Sequence, residues 1–203
     1  MADPRETIFS LMRHGRTVWN QDKRIQGQKD TDLAPEGVDQ AKAWSRTLAK
    51  AVWDRVLTSD LSRARETARL AVGSLGLPTV EDPRLREQDW GDWVGRTFGD
   101  LGLDDMEDVV RRGLVGWEFT PPGGESRLQV LARARAALEQ AAREHPGESI
   151  LVVAHQGVLK CLLYDLLGLR FLPEENDPLE KYRLHAVGVR GRDWRLVALN
   201  REL

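Results

Sequence analysis

Ile8-Phe9-Ser10-Leu11-Met12-Arg13-His14-Gly15 and, far along the chain, Ser149-Ile150-Leu151-Val152-Val153-Ala154-His155-Gln156-Gly157 decide the reading of this sequence. Each is a short apolar run followed by a histidine ahead of a glycine, which reads as a buried strand feeding a tight loop. Amphipathic segments lie between them. From Pro35 to about Lys50 the residues Val38, Ala41, Trp44 and Leu48 recur at three- and four-residue steps, which places them on one helix face, with Pro35 suited to the first turn. Arg55 to Thr58 reads as a second short strand, and Ser62 as the cap of a helix running to about Leu75, ahead of Gly76 and Pro78. Ser126 is placed to cap a long helix carrying Leu128, Leu131, Leu138 and Ala142, stopped near Pro146-Gly147.

Beyond the second histidine, Val158 to Leu167 reads as a buried helix. Tyr182 to Val189 and Trp194 to Leu199 flank Gly191-Arg192-Asp193 as a hairpin. Alternating strands and helices predict an α/β fold, a three-layer sandwich with a mostly parallel central sheet covered by helices on both faces. No repeat, low-complexity tract or long linker divides residues 1–203, so one domain is expected. The stretch Gly95 to Gly124 differs: it is rich in Gly and Asp, with a weak helical pattern around Met106 to Arg112. It reads either as a lid that sets specificity or as a plain surface excursion.

Composition removes several function classes. The 203 residues carry 30 Lys plus Arg against 32 Asp plus Glu, a net charge of −2, which argues against a mainly electrostatic nucleic-acid binder. With 41% hydrophobic and 31% charged residues the chain is too apolar for disorder and too charged for a membrane protein, and its longest apolar run, Ile150 to Ala154, is far short of a span. The acidic opening Met1-Ala2-Asp3-Pro4-Arg5-Glu6 does not read as a secretory signal, so a cytoplasmic protein is expected. Cys161, alone among Leu159, Leu162 and Leu163, reads as a buried inert thiol. One Cys and four scattered His residues do not suggest a structural zinc site.

The chemistry-bearing residues fall at strand ends. A parallel sheet brings His14 and His155 together at its carboxyl edge. Arg13 adjoins the first, and Arg63 opens the helix after the strand Arg55 to Thr58. Guanidinium forks and a helix N-terminus both suit an anion. Glu87, near Trp90, is the candidate proton donor, held protonated by its aromatic neighbour, with Asp89 and Asp92 as rivals. His145 and His185 lack such a setting and read as structural or surface residues, and Arg111, Arg112, Arg133 and Arg143 as solvated. Trp90, Trp93 and Trp117 are weighed as pocket walls, core packing being the ordinary role.

Four ordered motifs carry a resemblance. They are Leu11-Met12-Arg13-His14-Gly15-Arg16-Thr17-Val18-Trp19-Asn20, with Gln26-Gly27 and Asp32-Leu33 after it; Thr58-Ser59-Asp60-Leu61-Ser62-Arg63-Ala64; Leu85-Arg86-Glu87 with Gly91-Asp92-Trp93-Val94-Gly95; and Val153-Ala154-His155-Gln156-Gly157-Val158. Together they resemble the histidine phosphatase superfamily, also called the phosphoglycerate mutase-like family. The resemblance implies that fold, with His14 as the nucleophile that accepts a phosphoryl group. It implies that Arg13, Arg63 and His155 surround the phosphate, that Glu87 protonates the departing oxygen, and that Asn20 adds a phosphate or substrate contact. Thr17, Gln26, Gly27 and Gln156 are the remaining candidate substrate contacts. Departures from the family pattern are Arg16, read as pointing to solvent, Gln156 and Val94.

A neutral imidazole attacks only if its other nitrogen keeps a proton, which a backbone carbonyl near Gly15 is expected to enforce. The arginines and a protonatable His155 stabilise the transferring phosphoryl group, so neither metal nor cofactor is expected. The leading expectation is therefore a metal-independent hydrolase of the histidine acid phosphatase type, acting on a small phosphorylated metabolite through a phosphohistidine. Its alternatives are a cofactor-dependent phosphoglycerate mutase and a catalytically weak binding module on the same fold.

Overall fold

A computed structural model of the chain describes residues 5–103, 110 and 113–203. Its strands are β1 (Thr7–Arg13), β2 (Arg55–Thr58), β3 (Thr79–Glu81), β4 (Ser149–Ala154), β5 (Leu184–Arg190) and β6 (Asp193–Arg201), joined in one sheet of order β3-β2-β4-β1-β5-β6. The helices are α1 (Val18–Gln21), α2 (Pro35–Leu48), α3 (Ser62–Val72), α4 (Arg127–Glu144) and α5 (Gln156–Leu167).

The sheet is mixed and mostly parallel, as expected. β3, β2, β4 and β1 run parallel to one another, whereas β5 is antiparallel to both β1 and β6. A turn at Gly191-Arg192, with Gly191 at φ +61°, reverses the chain between β5 and β6. The register of β1 on β4 runs from Ile8 opposite Ser149 to Arg13 opposite Ala154. Both strands therefore end at the same level, and the His14 backbone N–H donates to the Ala154 carbonyl at 3.0 Å.

Period-two alternation splits the strands between two cores. Phe9, Leu11, Ile150 and Val152 face α4 and α5, where they meet Val130, Leu138, Val158 and Leu162. Met12, Leu151 and Val153 face α2 and α3, against Ala41, Trp44, Ala64 and Ala68. The result is the three-layer α/β arrangement, with helices on both faces.

Local chemistry explains most boundaries. Pro35 is the first residue of α2, and Ser126 caps α4 through a reciprocal pair with Gln129. Three expectations are corrected. Ser62 does not cap α3 but is its first residue; the cap is the Asp30 carboxylate, which accepts from the Ser62 N–H at 2.9 Å and its hydroxyl at 2.6 Å. Leu128, expected to face the core, lies 40% exposed in the first turn of α4. The helix expected to reach Leu75 gives way at Gly73 to a tighter turn, Gly73–Leu75, ahead of the short edge strand β3 that periodicity did not signal. Of the helical expectation around Met106 to Arg112, all but Val110 lies outside the described residues.

The loop after β1 is fixed by a close backbone crossing. Gly37 in the first turn of α2 lies so near Arg16 that a Cβ there would overlap the Arg16 carbonyl, and Gly15 in turn abuts the Gly37 carbonyl. The Ala34 N–H also donates to the Arg16 carbonyl at 2.9 Å. His14 is thus held between β4 and α2.

Candidate active site

His14 is buried, and its Nδ1 lies 2.7 Å from the Gly15 carbonyl oxygen. A carbonyl can only accept, so Nδ1 carries the proton and Nε2 keeps its lone pair. The loop is held from α3 as well: the Gly15 N–H donates to the Thr67 hydroxyl at 2.9 Å, and that hydroxyl donates to the Arg63 carbonyl at 2.6 Å. His155 stands beside it, ring centroids 5.1 Å apart. Its Nε2 pairs with the Ser59 hydroxyl at 2.9 Å, and its Nδ1 is buried without a partner among the described residues.

Two arginines complete the cluster. Arg63 is 1% exposed and donates from Nη1 to the Lys29 carbonyl and from Nη2 to the Gly27 carbonyl, each at 2.8 Å. The Arg13 guanidinium sits 5.6 Å from the Tyr182 ring centroid. In both arginines Nε is buried and unpartnered among the described residues. So many donors without acceptors mark a place built for an anion.

The electrostatics agree. Burial, then Arg13 and Arg63, push His14 well below 6.5, against the smaller upward pull of its bond to Gly15. Burial, then Arg63, His14 and Arg13, do the same to His155. The protonatable His155 expected from the sequence is therefore neutral in the anion-free site. Burial also lowers Arg63 to about 10, with Glu87 and Asp30 opposing the drop.

A cavity of about 270 Å³ opens here, and its walls include Arg13, His14, Arg63, Asn20 and Glu87. Gln26, Gly27 and Gln156 line it too, so most of the candidate contacts converge. Asn20 meets the cavity while its side-chain oxygen accepts from the Thr17 N–H at 3.1 Å. Thr17 is not a wall residue; its hydroxyl caps α1 by accepting from the Asn20 N–H at 3.1 Å. Arg16 is exposed and outside the cavity. A larger cavity of about 790 Å³ between α2, α3 and β3 contains neither histidine nor Arg13 or Arg63. The smaller one is lined by Arg13 and Arg63, whose Nε atoms lack partners among the described residues, and that chemistry outweighs size.

Glu87 is the acidic wall residue. Its carboxylate accepts from the Gly157 N–H at 3.1 and 3.2 Å and from the Gln88 N–H at 2.8 Å. A Cβ at position 157 would displace that carboxylate, so glycine there lets it approach the second histidine loop. The rivals point elsewhere: Asp89 accepts from the Gly91 N–H at 2.9 Å, and Asp92 lies against Gly123. Trp90 lines the cavity, its ring edge-on to Phe98 at 6.2 Å; Trp93 stands behind it and Trp117 donates to the Leu169 carbonyl instead.

Sequence reasoning missed Lys23, Arg24, Ile25 and Phe98, which also line the cavity. Lys23 adopts φ +56°, a conformation a lysine rarely takes. The readable signal was the pair of adjacent cations between Asn20 and Gln26. Arg133, expected in solvent, is instead only 18% exposed in its side chain and bonded to the Glu87 carbonyl. Arg143 is exposed as expected, while Arg111 and Arg112 lie outside the described residues. Burial raises the Cys161 thiol to about 12, the state of an inert cysteine.

Known proteins share this architecture. The model of the histidine phosphatase superfamily (branch 1) matches residues 9–202. The chain is 33% identical over 186 residues to the probable phosphoglycerate mutase GpmB of Enterobacter sp. (strain 638), covering 91% of this chain and 86% of that one. The structure of Bacillus stearothermophilus YhfR superposes with a TM-score of 0.86 at 28% identity, covering 97% of this chain and 98% of its own. A mycobacterial glucosyl-3-phosphoglycerate phosphatase, solved with VO3, superposes with a TM-score of 0.83 at 31% identity, covering 96% and 99%. The ordered motifs, their convergence on one anion-ready cavity and these matches together make the chain a member of the histidine phosphatase superfamily, branch 1.

Proposed function

We propose that the chain is a phosphomonoester hydrolase that works through a phosphohistidine on His14. The observation that carries this reading is the Nδ1–H bond from His14 to Gly15, which leaves Nε2 as a neutral nucleophile beside two arginines with unpartnered donors. In the first step the P–N bond to Nε2 forms as the P–O ester bond breaks. Glu87 gives its proton to the departing oxygen, and the alcohol leaves. In the second step Glu87, now ionised, takes a proton from water as it attacks phosphorus; the P–N bond breaks and inorganic phosphate is released.

Arg13 and Arg63 hold the equatorial oxygens, where charge gathers during transfer, and so supply the stabilisation a metal would otherwise provide. An anion between the histidines offsets the positive field that depresses His155, so His155 takes up a proton as the phosphoester binds. Asn20, Gln26, Gly27 and Gln156 orient the substrate from the cavity wall. The segment Gly95 to Gly124 contributes to specificity through Phe98, which lines the same cavity. The substrate class is a small phosphorylated metabolite, a reading supported by the likeness to the glucosyl-3-phosphoglycerate phosphatase.

A mutase is the second reading, favoured by the relative named as a probable phosphoglycerate mutase. One experiment separates the two. A panel of phosphomonoesters, including phosphoglycerates with and without bisphosphoglycerate, is incubated with wild type and His14→Ala in excess chelator. Chelator-resistant phosphate release that disappears in His14→Ala supports the hydrolase. Interconversion of phosphoglycerates without net release supports the mutase. No turnover on any substrate favours a binding module.

A further inference from the structure

We infer that Arg133 and Glu125 form a positioning device for the Glu87 proton donor; this rests on the reading of Glu87 proposed above. Arg133 projects from α4 and spends its guanidinium on three groups. Nη1 donates to the Arg84 carbonyl at 2.6 Å, Nη2 to the Glu87 carbonyl at 3.0 Å, and Nε and Nη2 grip the Glu125 carboxylate at 3.1 and 2.6 Å. One planar cation therefore holds both ends of the segment from Arg84 to Glu87.

Glu125 extends the grip past the acid. Its Oε1 accepts from the Asp89 N–H at 2.9 Å, its carbonyl accepts from the Gln88 side-chain amide at 2.9 Å, and its N–H donates to the Asp89 carbonyl at 3.0 Å. The backbone on either side of Glu87 is thus tied to one ion pair whose partners are only 18% and 17% exposed in their side chains. On the opposite side the Glu87 carboxylate meets the Gly157 N–H of the histidine loop. The main chain of Glu87 is fixed from α4 and its side chain from α5, so the carboxyl oxygen has little freedom to drift from the leaving group.

The geometry also says why arginine is required. A lysine places one compact charge and can pair with Glu125, but it has no planar fork to reach the Arg84 and Glu87 carbonyls together. Arg133 does not itself line the phosphate cavity, and its hydrogen bond to the wall is the one to the Glu87 carbonyl, so its effect on turnover is transmitted through Glu87.

The test uses the full chain. kcat/KM, which reports the first phosphoryl transfer, is measured for an alkyl phosphate and for p-nitrophenyl phosphate in wild type, Arg133→Lys, Glu125→Gln, Glu87→Gln and the double variant Arg133→Lys/Glu87→Gln. Tm and competitive inhibition by vanadate are followed alongside. A displaced acid costs poor leaving groups most, so in Arg133→Lys the alkyl phosphate is expected to lose at least about tenfold more than the nitrophenyl ester. The double variant is expected to discriminate no further than Glu87→Gln, because both changes disable one function.

Equal losses for the two esters in a folded Arg133→Lys, with normal discrimination in Glu87→Gln, would overturn the positioning role and leave the acid intact. Absence of discrimination in Glu87→Gln itself would remove the acid and the positioning role together. If Arg133→Lys fails to fold, Glu125→Gln decides by the same ratio of ratios.

Discussion

A single hydrogen bond sets the character of His14. Because the Gly15 carbonyl fixes the proton on Nδ1, the Nε2 lone pair proposed as the nucleophile stays free, and burial beside Arg13 and Arg63 keeps it so below pH 6.5. The same burial has a cost for stability. Unfolded, both histidines protonate near 6.5, whereas folded His14 and His155 resist protonation until well below it. Their contribution is therefore present above pH 6.5 and declines as pH falls below it. Calorimetry of the anion-free protein is expected to show Tm dropping between pH 6.5 and 5.5, with a shallower drop in His155→Gln. The carboxylates lowered by their arginines, Asp60 and Glu148 among them, respond only at more acid pH. A second residue-scale expectation concerns Gly157: alanine there pushes the Glu87 carboxylate aside, so kcat/KM for alkyl phosphates falls far more than Tm does.

His14, Arg13 and His155 were legible because strand ends announce themselves as apolar runs that stop. Glu87 was ranked above its rivals only through the family motif, since nothing in its immediate neighbours tells which of three carboxylates turns inward. Lys23 and Arg24 were hidden because their placement depends on a reversed backbone conformation after α1, which no propensity favours for lysine. Arg133 was misjudged for a related reason: its three acceptors are backbone and side-chain groups assembled only by the tertiary fold.

Among the elements, α3 shows how a distant residue can finish a local structure. Asp30 supplies the cap that Ser62 was expected to supply, and the same loop offers its Gly27 and Lys29 carbonyls to Arg63. Asp30→Ala is expected to cost about 1 kcal/mol, roughly 2 to 4 °C in Tm, because the first turn of α3 loses its acceptor. The loop then loosens around Arg63, so the inhibition constant for vanadate is expected to rise with it. Gly37 offers a sharper test in α2. Alanine there meets backbone rather than a movable side chain, at about 2 kcal/mol or roughly 4 to 8 °C, read by thermal melting. The long elements were readable from periodicity and capping. β3 was not, because its three residues are all exposed and belong to the sheet only by pairing with β2.

For the whole molecule, the alternation of strands and helices correctly gave a layered α/β fold with a mostly parallel sheet, and the hairpin gave the β5–β6 pair, but not that β5 lies antiparallel against β1. A hairpin can be read from its turn; which edge of a sheet receives it is decided by packing across many elements. The site draws on β1, β4, α3 and the Glu87 segment at once, so an anion that binds it ties the layers together. Vanadate at 100 times its dissociation constant is expected to stabilise the fold by about 2.7 kcal/mol, a rise of roughly 5 to 10 °C in Tm. The same addition to Arg13→Met is expected to produce little of that rise.

The position of β1 at the centre of the sheet carries a consequence for biogenesis. The strand that leads into His14 is made early, yet both of its neighbours, β4 and β5, are made late. On the ribosome its native hydrogen-bonding partners are therefore missing until β4 and β5 have emerged. Pairings of such long sequence separation form slowly and leave apolar strands exposed meanwhile. His14 is therefore translated before either strand that pairs with β1, and its surroundings are complete only once β4 and β5 have followed.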